Sequence, residues 1–304
     1  MAKPVLTAPH FLTEANAFAY VEASLWPNGP VCPHCGETAR IGRLNGKTTR
    51  PGLCKCYACK KPFTVRMGTL FEDSHLPLHL WLQVIHLFCA SKKGISTRQI
   101  QRMLNCSMKT AWFLGHRIRL AMDPGSATPI GGAGRTVEAD ETFISNSRKT
   151  KFSGFRRKPR TAVLSLVDRD GPIRSMTIDH RGVGPRLYKH LNKESRLVTD
   201  NAQHYKFTGA AKHESVDHYK YEWARGDVHT NTLEGFFSIF KRGLIGVYQH
   251  IDAKHFDRYL AEFDFRQNTR AKLGINDTQR AAIALQGVKG KRLTYETTQE
   301  GISA

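Results

Sequence analysis

The chain has 304 residues and a formal net charge of +20, with 46 Lys and Arg against 26 Asp and Glu. That length predicts two or three domains, and 40% hydrophobic residues exclude a collagen-like or plainly disordered chain. A cationic excess of this size points to a polyanionic partner, because each Lys or Arg placed on a phosphate releases condensed counterions.

At the N-terminus, MAKPVLTAPHFLTEANAF lacks the basic-then-apolar layout of a secretory signal. No apolar run is long enough for a membrane helix. A cytoplasmic setting without a membrane partner is expected, and seven cysteines, an odd number, do not form a pure disulfide framework there. Four of them make two pairs, Cys32-Pro-His-Cys35 and Cys56-Tyr-Ala-Cys59. Two residues between thiolates turn both sulfurs to one point, and two such knuckles supply a tetrahedral S4 cage for a structural Zn2+. Cys54 is the rival ligand, and His34 is expected to be exposed. A ribbon within residues 1–74 cannot build much core, so metal binding supplies much of its folding energy.

Residues 75–123 change to a helical period. Leu78, Leu82, Ile85 and Cys89 share one face. Ser96-x-x-Gln99 opens a second helix with Ile100, Met103 and Leu104 inward, and Asn105-Cys106 makes a turn. Ser107 caps a third helix with Ala111, Leu114, Ile118 and Met122 on one side. Three helices with a tight turn before the last predict a helix-turn-helix module. Lys109 and Thr110 then lie at the leading end of the groove-entering helix, with Arg117 and Arg119 against phosphates. A plain trihelical bundle is the alternative. The Gly- and Pro-rich segment 124–134 reads as a linker.

From 135 to 270 strands are expected at Thr136–Ile144, Thr161–Val167, Pro172–Ile178 and Leu197–Asp200, with helices at Leu187–Leu191 and Asn231–Ile245. A mixed α/β sheet with helices follows. Three acids stand out: Asp140 within a strand suited to burial, Asp200 at a strand end, and Glu234 on a helix. Glu234, Ser238 and Lys241 share one stripe beside an apolar face of Leu233, Phe237, Phe240 and Leu244. Three converging carboxylates repel one another. Hard divalent cations relieve that, and a pair of Mg2+ ions can activate an attacking oxygen and stabilise a leaving one. Lys241 is placed to hold a DNA phosphate. Each acid also has a plainer reading. Asn231-x-x-Glu234 is a capping-box pattern, and Glu138, on the same strand face as Asp140, competes as the ligand, whereas Glu141 points to the other face. The basic stretch 152–160, with Arg156, Arg157 and Lys158, and the cation Arg242 are further candidates for gripping DNA. Residues 271–304 read as a basic tail, either partly disordered or a loosely docked helix.

Taken together, these segments resemble the zinc-ribbon subgroup of bacterial insertion-sequence transposases with a DDE-type, RNase H-like catalytic domain. The resemblance runs from Phe18 to Gln267. It rests on the two cysteine pairs, on FTVRMGTLFEDSHLPLHLW (63–81), VEADETFI (137–144), VTDNAQHY (198–205), HTNTLEGFFSIFKRGLIGVYQH (229–250) and YLAEFDFRQN (259–268). It implies a triad of Asp140, Asp200 and Glu234, with Lys241 as the basic residue after the third acid. The implied activity is Mg2+-dependent cleavage (Mn2+ substituting) at an element's terminal inverted repeats, followed by attack of the freed 3′-hydroxyl on target DNA. The implied setting is an oligomer on DNA in the bacterial nucleoid. A DNA-binding regulator with an inactive second domain and a structure-selective nuclease are the other readings.

Overall fold

The computed structural model describes residues 4–125, 128–145, 160–178, 182–205 and 209–294. They form two compact units. One comprises the residues up to Ser91, Ile95–Met122 and the chain from Asn276 onward; the other comprises Lys92–Gly94 and Asp123–Ile275. Among the described residues, no helix is long and apolar enough to cross a membrane.

The first unit opens with α1 (Pro9–Leu12) and α2 (Glu14–Leu25), the latter capped by the Thr13 hydroxyl accepting the Asn16 N–H. An antiparallel ribbon follows, made of β1 (Ile41–Arg43), β2 (Cys54–Cys56) and β3 (Pro62–Phe63). Its small core gathers Cys32, Cys54, Cys56 and Phe63. Three helices come next: α3 (Leu78–Ala90), α4 (Thr97–Leu104) and α5 (Met108–Met122). Pro77 leaves α3 without a side-chain cap of its own. The Glu14 carboxylate supplies one from α2, accepting the N–H of Leu78 at 2.6 Å and of His79 at 3.2 Å, where a negative charge suits the helix dipole. Ser96 caps α4, and Asn105 ends it in the left-handed region at φ +48°, which Asn tolerates.

The apolar faces of α3 and α5 are buried as their spacing requires, with one difference on α4: Ile100 is inward but Met103 is exposed. Arg117 and Arg119, expected against phosphates, are 7% and 2% exposed. The Arg117 guanidinium donates to the Leu70, Glu72 and Leu293 carbonyls, and that of Arg119 lies 5.4 Å from the Phe88 ring centre. Both cations serve the fold, because a buried guanidinium must find acceptors or a ring face inside the protein.

The second unit contains β4 (Thr136–Ser145), β5 (Arg160–Asp168), β6 (Ile173–Ile178), α6 (Val183–His190), β7 (Arg196–Asp200), β8 (Lys212–Val216), α7 (Asn231–Gly243) and α8 (Phe256–Asn268). The sheet order is β6-β5-β4-β7-β8. The β4–β5 and β5–β6 pairs are antiparallel, and β4–β7 and β7–β8 are parallel. Alternation along the strands builds two cores. Val137, Ala139, Leu164, Leu166 and Leu197 join Val183 and Leu187 of α6. Val163 and Val167 join Leu233, Phe236, Phe237 and Phe240 of α7 and Leu260 and Phe263 of α8. The mixed α/β class is as expected. Helix α6 begins at Val183 rather than Leu187. Strand β8 has no apolar run to announce it. Part of the segment read as a linker is packed: Ile130 is buried, and its backbone bonds His190 and Asn192.

The C-terminal segment also differs from a loose tail. Helix α9 (Asp277–Gln286) carries a full Asn276/Gln279 capping box. It buries Ala284 and Leu285 in the first unit, and Arg280 donates to the Cys89 carbonyl at 2.8 Å. Gly287 makes the close approach possible, since a Cβ there would lie 2.0 Å from the Ala121 oxygen.

Candidate active site and metal centre

The parallel ladder between β4 and β7 pairs Thr136 with Arg196, Val137 with Leu197 and Glu138 with Val198. Two further steps along each strand lead to Asp140 and Asp200. Residues paired in register share a face, and so do residues two apart. Both carboxylates therefore belong to the Glu138–Val198 face, the opposite one to Val137 and Leu197. Ligand sites in such sheets form beyond the carboxyl ends of parallel strands. Asp140 also pairs with Ser165 of β5, on the α7-covered face with Val163 and Val167.

Glu234 lies in the first turn of α7 and is exposed. It is not the cap that the Asn231-x-x-Glu234 pattern allowed. That role falls to Glu138, which is fully buried. Its carboxylate accepts the Thr232 N–H at 3.0 Å, the Thr232 hydroxyl at 2.9 Å and the Leu233 N–H at 3.2 Å. Arg169 donates to it at 2.8 Å. Glu138 is thus occupied in tying α7 to β4, which removes it as the rival of Asp140. Sequence reasoning missed this role. The available signal was Glu138-x-Asp140 on one face of a buried strand, where two acids cannot both go unpartnered.

Asp140 feels the other acids. The Asp140 carboxyl is pushed up to about 7, first by desolvation and then by the charges of Asp200, Glu141 and Glu234, against the pull of the Glu141 N–H donated to its Oδ1 at 2.7 Å. Asp200 Oδ1 accepts the Ala202 N–H. The donor set is hard oxygen with lone pairs left over, which fits Mg2+. The three carboxylates are not collapsed together: among the described residues, only the four cysteines bring three or more such ligand atoms within 4.8 Å of one another.

On the other face, Glu141 lies beside His204, with Nε2 to Oε1 at 2.5 Å, and burial raises its carboxyl. Asn201 donates to Asp217 at 3.2 Å. His229 joins the Glu138–Arg169 group, its ring nitrogen 3.2 Å from the Arg169 guanidinium. Asp168 takes Arg135 at 2.8 Å and the Asp170 N–H, closing the turn between β5 and β6.

In the ribbon, Cys32, Cys35, Cys56 and Cys59 converge. The Cys32–Cys59 and Cys35–Cys56 sulfurs are each 3.7 Å apart. A tetrahedron with Zn–S of about 2.3 Å has edges of about 3.8 Å, so the cage fits Zn2+. The Cys56 thiol is lowered to about 7, first by the Cys59 backbone N–H. Cys54 is buried in the adjoining core and stands outside the cage. His34 is exposed.

Residues 12–62 match the transposase zinc-ribbon domain, and residues 131–268, holding all three acids, match the ISXO2-like transposase domain. The chain thus carries two transposase-family domains, a zinc ribbon followed by an ISXO2-like domain. It is 26% identical over 283 residues, 87% of this chain and 94% of the relative, to an uncharacterized protein in transposable element ISH50 of Halobacterium salinarum. Of the candidates for DNA contact, Lys109, Lys241 and Arg242 are exposed. Arg242 turns its guanidinium back to the Ser238 carbonyl at 3.1 Å. The Thr110 hydroxyl lies 2.8 Å from that of Ser107. Arg156, Arg157 and Lys158 lie outside the described residues.

Proposed function

We propose that this protein is a DNA transposase whose RNase H-like second unit cuts and joins DNA with Asp140, Asp200 and Glu234. The observation carrying this reading is the convergence of a mid-strand, a strand-end and a helix carboxylate on one side of a parallel strand pair. The repulsion felt at Asp140 is left unrelieved by any Lys or Arg ion pair to these acids among the described residues. The sheet order, an antiparallel trio extended by two parallel strands, supports the RNase H-like assignment. Asp140, Asp200 and Glu234 would hold two Mg2+ ions, with Mn2+ substituting. Bound there, the metal supplies charge for an attacking and a leaving oxygen. Asp140 and Asp200 set the position of the site from the rigid sheet, and Glu234 closes it from α7. Lys241, two turns along α7 from Glu234, binds a DNA phosphate. Helices α3 to α5 act as the helix-turn-helix module, with Lys109 and Thr110 at the leading end of α5. The substrates are the terminal inverted repeats of an insertion sequence and then target DNA. Two ends held together call for an oligomer.

The test is incubation of the purified protein with its flanking terminal DNA and Mg2+ or Mn2+. Metal-dependent cleavage and joining of the 3′ end to target DNA is the expected result. Asp200→Ala should abolish both while leaving DNA binding intact. Binding without nicking would instead indicate a regulator, and cutting without joining or need of the ends a nuclease.

A further inference from the structure

Strand β8 runs parallel to β7 and pairs Val216 with Asp200, so the chain leaves the sheet beside the second acid. The next residues, His218 to Arg225, present three aromatic rings within five positions. Tyr219 is 97% exposed, Tyr221 83% and Trp223 60%. Large exposed rings grouped in this way mark an interaction surface.

The loop that carries them is built. Asp217 accepts the Tyr219 N–H at 3.1 Å and the Asn201 side-chain amide at 3.2 Å. Glu222 accepts the Asp217 N–H at 3.2 Å and Arg225 at 3.3 Å. Arg225 also donates to the Ser215 carbonyl. The His218 ring packs at 4.8 Å from that of Trp223. The acids are therefore turned into the loop and the rings out of it. Tyr221 sits at φ +59°, a left-handed conformation that an L side chain adopts at a cost and glycine adopts freely. A tyrosine stands where glycine would be easier.

We infer that Tyr219, Tyr221 and Trp223 form a stacking platform for unpaired DNA bases beside the acid site. This rests on the transposase reading above and adds a substrate feature to it: the DNA next to the cut bond is unstacked. Local charges largely cancel in ion pairs, so the loop offers ring faces in preference to a phosphate grip. Every base has a π-face, so rings bind single strands without regard to sequence. Enzymes whose target atom lies within the base stack draw that base out, and a ring that receives a displaced base offsets the cost of unstacking.

The test uses the full chain with two probes, a short fluorescent oligo-dT strand and a blunt duplex of equal length. Tyr219→Ala and Trp223→Ala should each weaken oligo-dT binding by about 5- to 100-fold and leave duplex binding within about twofold. Tyr219→Phe should bind as the parent does. Tyr221→Gly separates function from folding: it should keep or raise the melting temperature and still lose oligo-dT affinity. Equal oligo-dT affinity in all variants, or equal losses on both probes, overturns the platform. A change of oligomeric state at unchanged oligo-dT affinity would make the rings a chain–chain contact instead. Unchanged variants in a protein that still cleaves and joins DNA sink only this inference. A parent protein that binds neither probe sinks the transposase reading as well.

Discussion

The carboxylate of Glu138 closes the first turn of α7 by accepting the Thr232 N–H at 3.0 Å and its hydroxyl at 2.9 Å. Asp140 is two residues along the same strand from that contact, and Glu234 two residues along the helix. The cap therefore ties the strand that carries one candidate acid to the helix that carries another.

Removing the cap should harm both stability and geometry. Glu138→Ala leaves Arg169 without its carboxylate and two α7 amides unsatisfied. Breaking one side of such a buried pair costs about 3–5 kcal/mol. Glu138→Gln keeps one acceptor oxygen and should lose less. If chemical denaturation shows the alanine variant within about 1 kcal/mol of the parent, the cap does not hold α7 in place.

Asp140 should be the converse case, costly to the fold and needed for function. Its charge is desolvated and faces other acids, so Asp140→Asn should raise the melting temperature of metal-free protein above neutral pH. The gain expected is about 2–4 °C for each kcal/mol of repulsion relieved. Added Mg2+ should stabilise the parent and not the variant, and DNA cleavage should be lost. A variant that melts lower than the parent in the absence of metal would contradict the repulsion.

The ribbon separates two kinds of cysteine. Cys32→Ser should lose about one zinc per chain by metal analysis, with unfolding of the ribbon. Cys54→Ser should keep its zinc and lose only packing with Phe63, about 1 kcal/mol or so for a small buried group. Loss of zinc in the Cys54 variant would move the ligand set.

A pH dependence follows from Asp264 on α8. Burial first of all raises its carboxyl to about 7, although the Ser175 N–H at 2.5 Å and hydroxyl at 2.7 Å donate to it. Between its unfolded value of about 4 and about 7, the folded protein holds a proton that the unfolded chain has released. Stability contributed at Asp264 therefore falls as pH rises through that window and stays low above it. Asp264→Asn, which can still bond Ser175, should flatten this part of the profile. Urea midpoints across the window would show it, and parallel profiles for parent and variant would refute it.

Much of the molecule was legible in local spacing. The cysteine pairs marked the ribbon, because two intervening residues suffice to aim both thiolates. The periodic faces of α3, α5 and α7 marked their buried sides. The β-prone stretch Thr136–Ile144 and the nearly continuous apolar run Thr161–Val167 marked β4 and β5. Spacing also singled out Asp140, Asp200 and Glu234, and the family segments around them strengthened the choice. Other features were not legible, for one physical reason: each depends on partners far apart in the chain. A docked C-terminal helix was one of two readings, but the firm packing of α9 was not legible, because Gly287 and Arg280 have meaning only against α5 and α3. Arg117 and Arg119 looked like phosphate ligands until tertiary packing enclosed them.

What the sequence alone determined was composition, the zinc cage and the candidate acids, since charge, thiolate spacing and periodicity are properties of the chain itself. What only the tertiary structure decided was who caps whom and which acids stay unpaired. Glu14 caps α3 and Glu138 caps α7 from other elements, satisfying amides that no neighbouring side chain reaches. The register of β4 against β7 then sets Asp140 beside Asp200, because backbone hydrogen bonds between strands sixty residues apart align residues that sequence proximity never brings together.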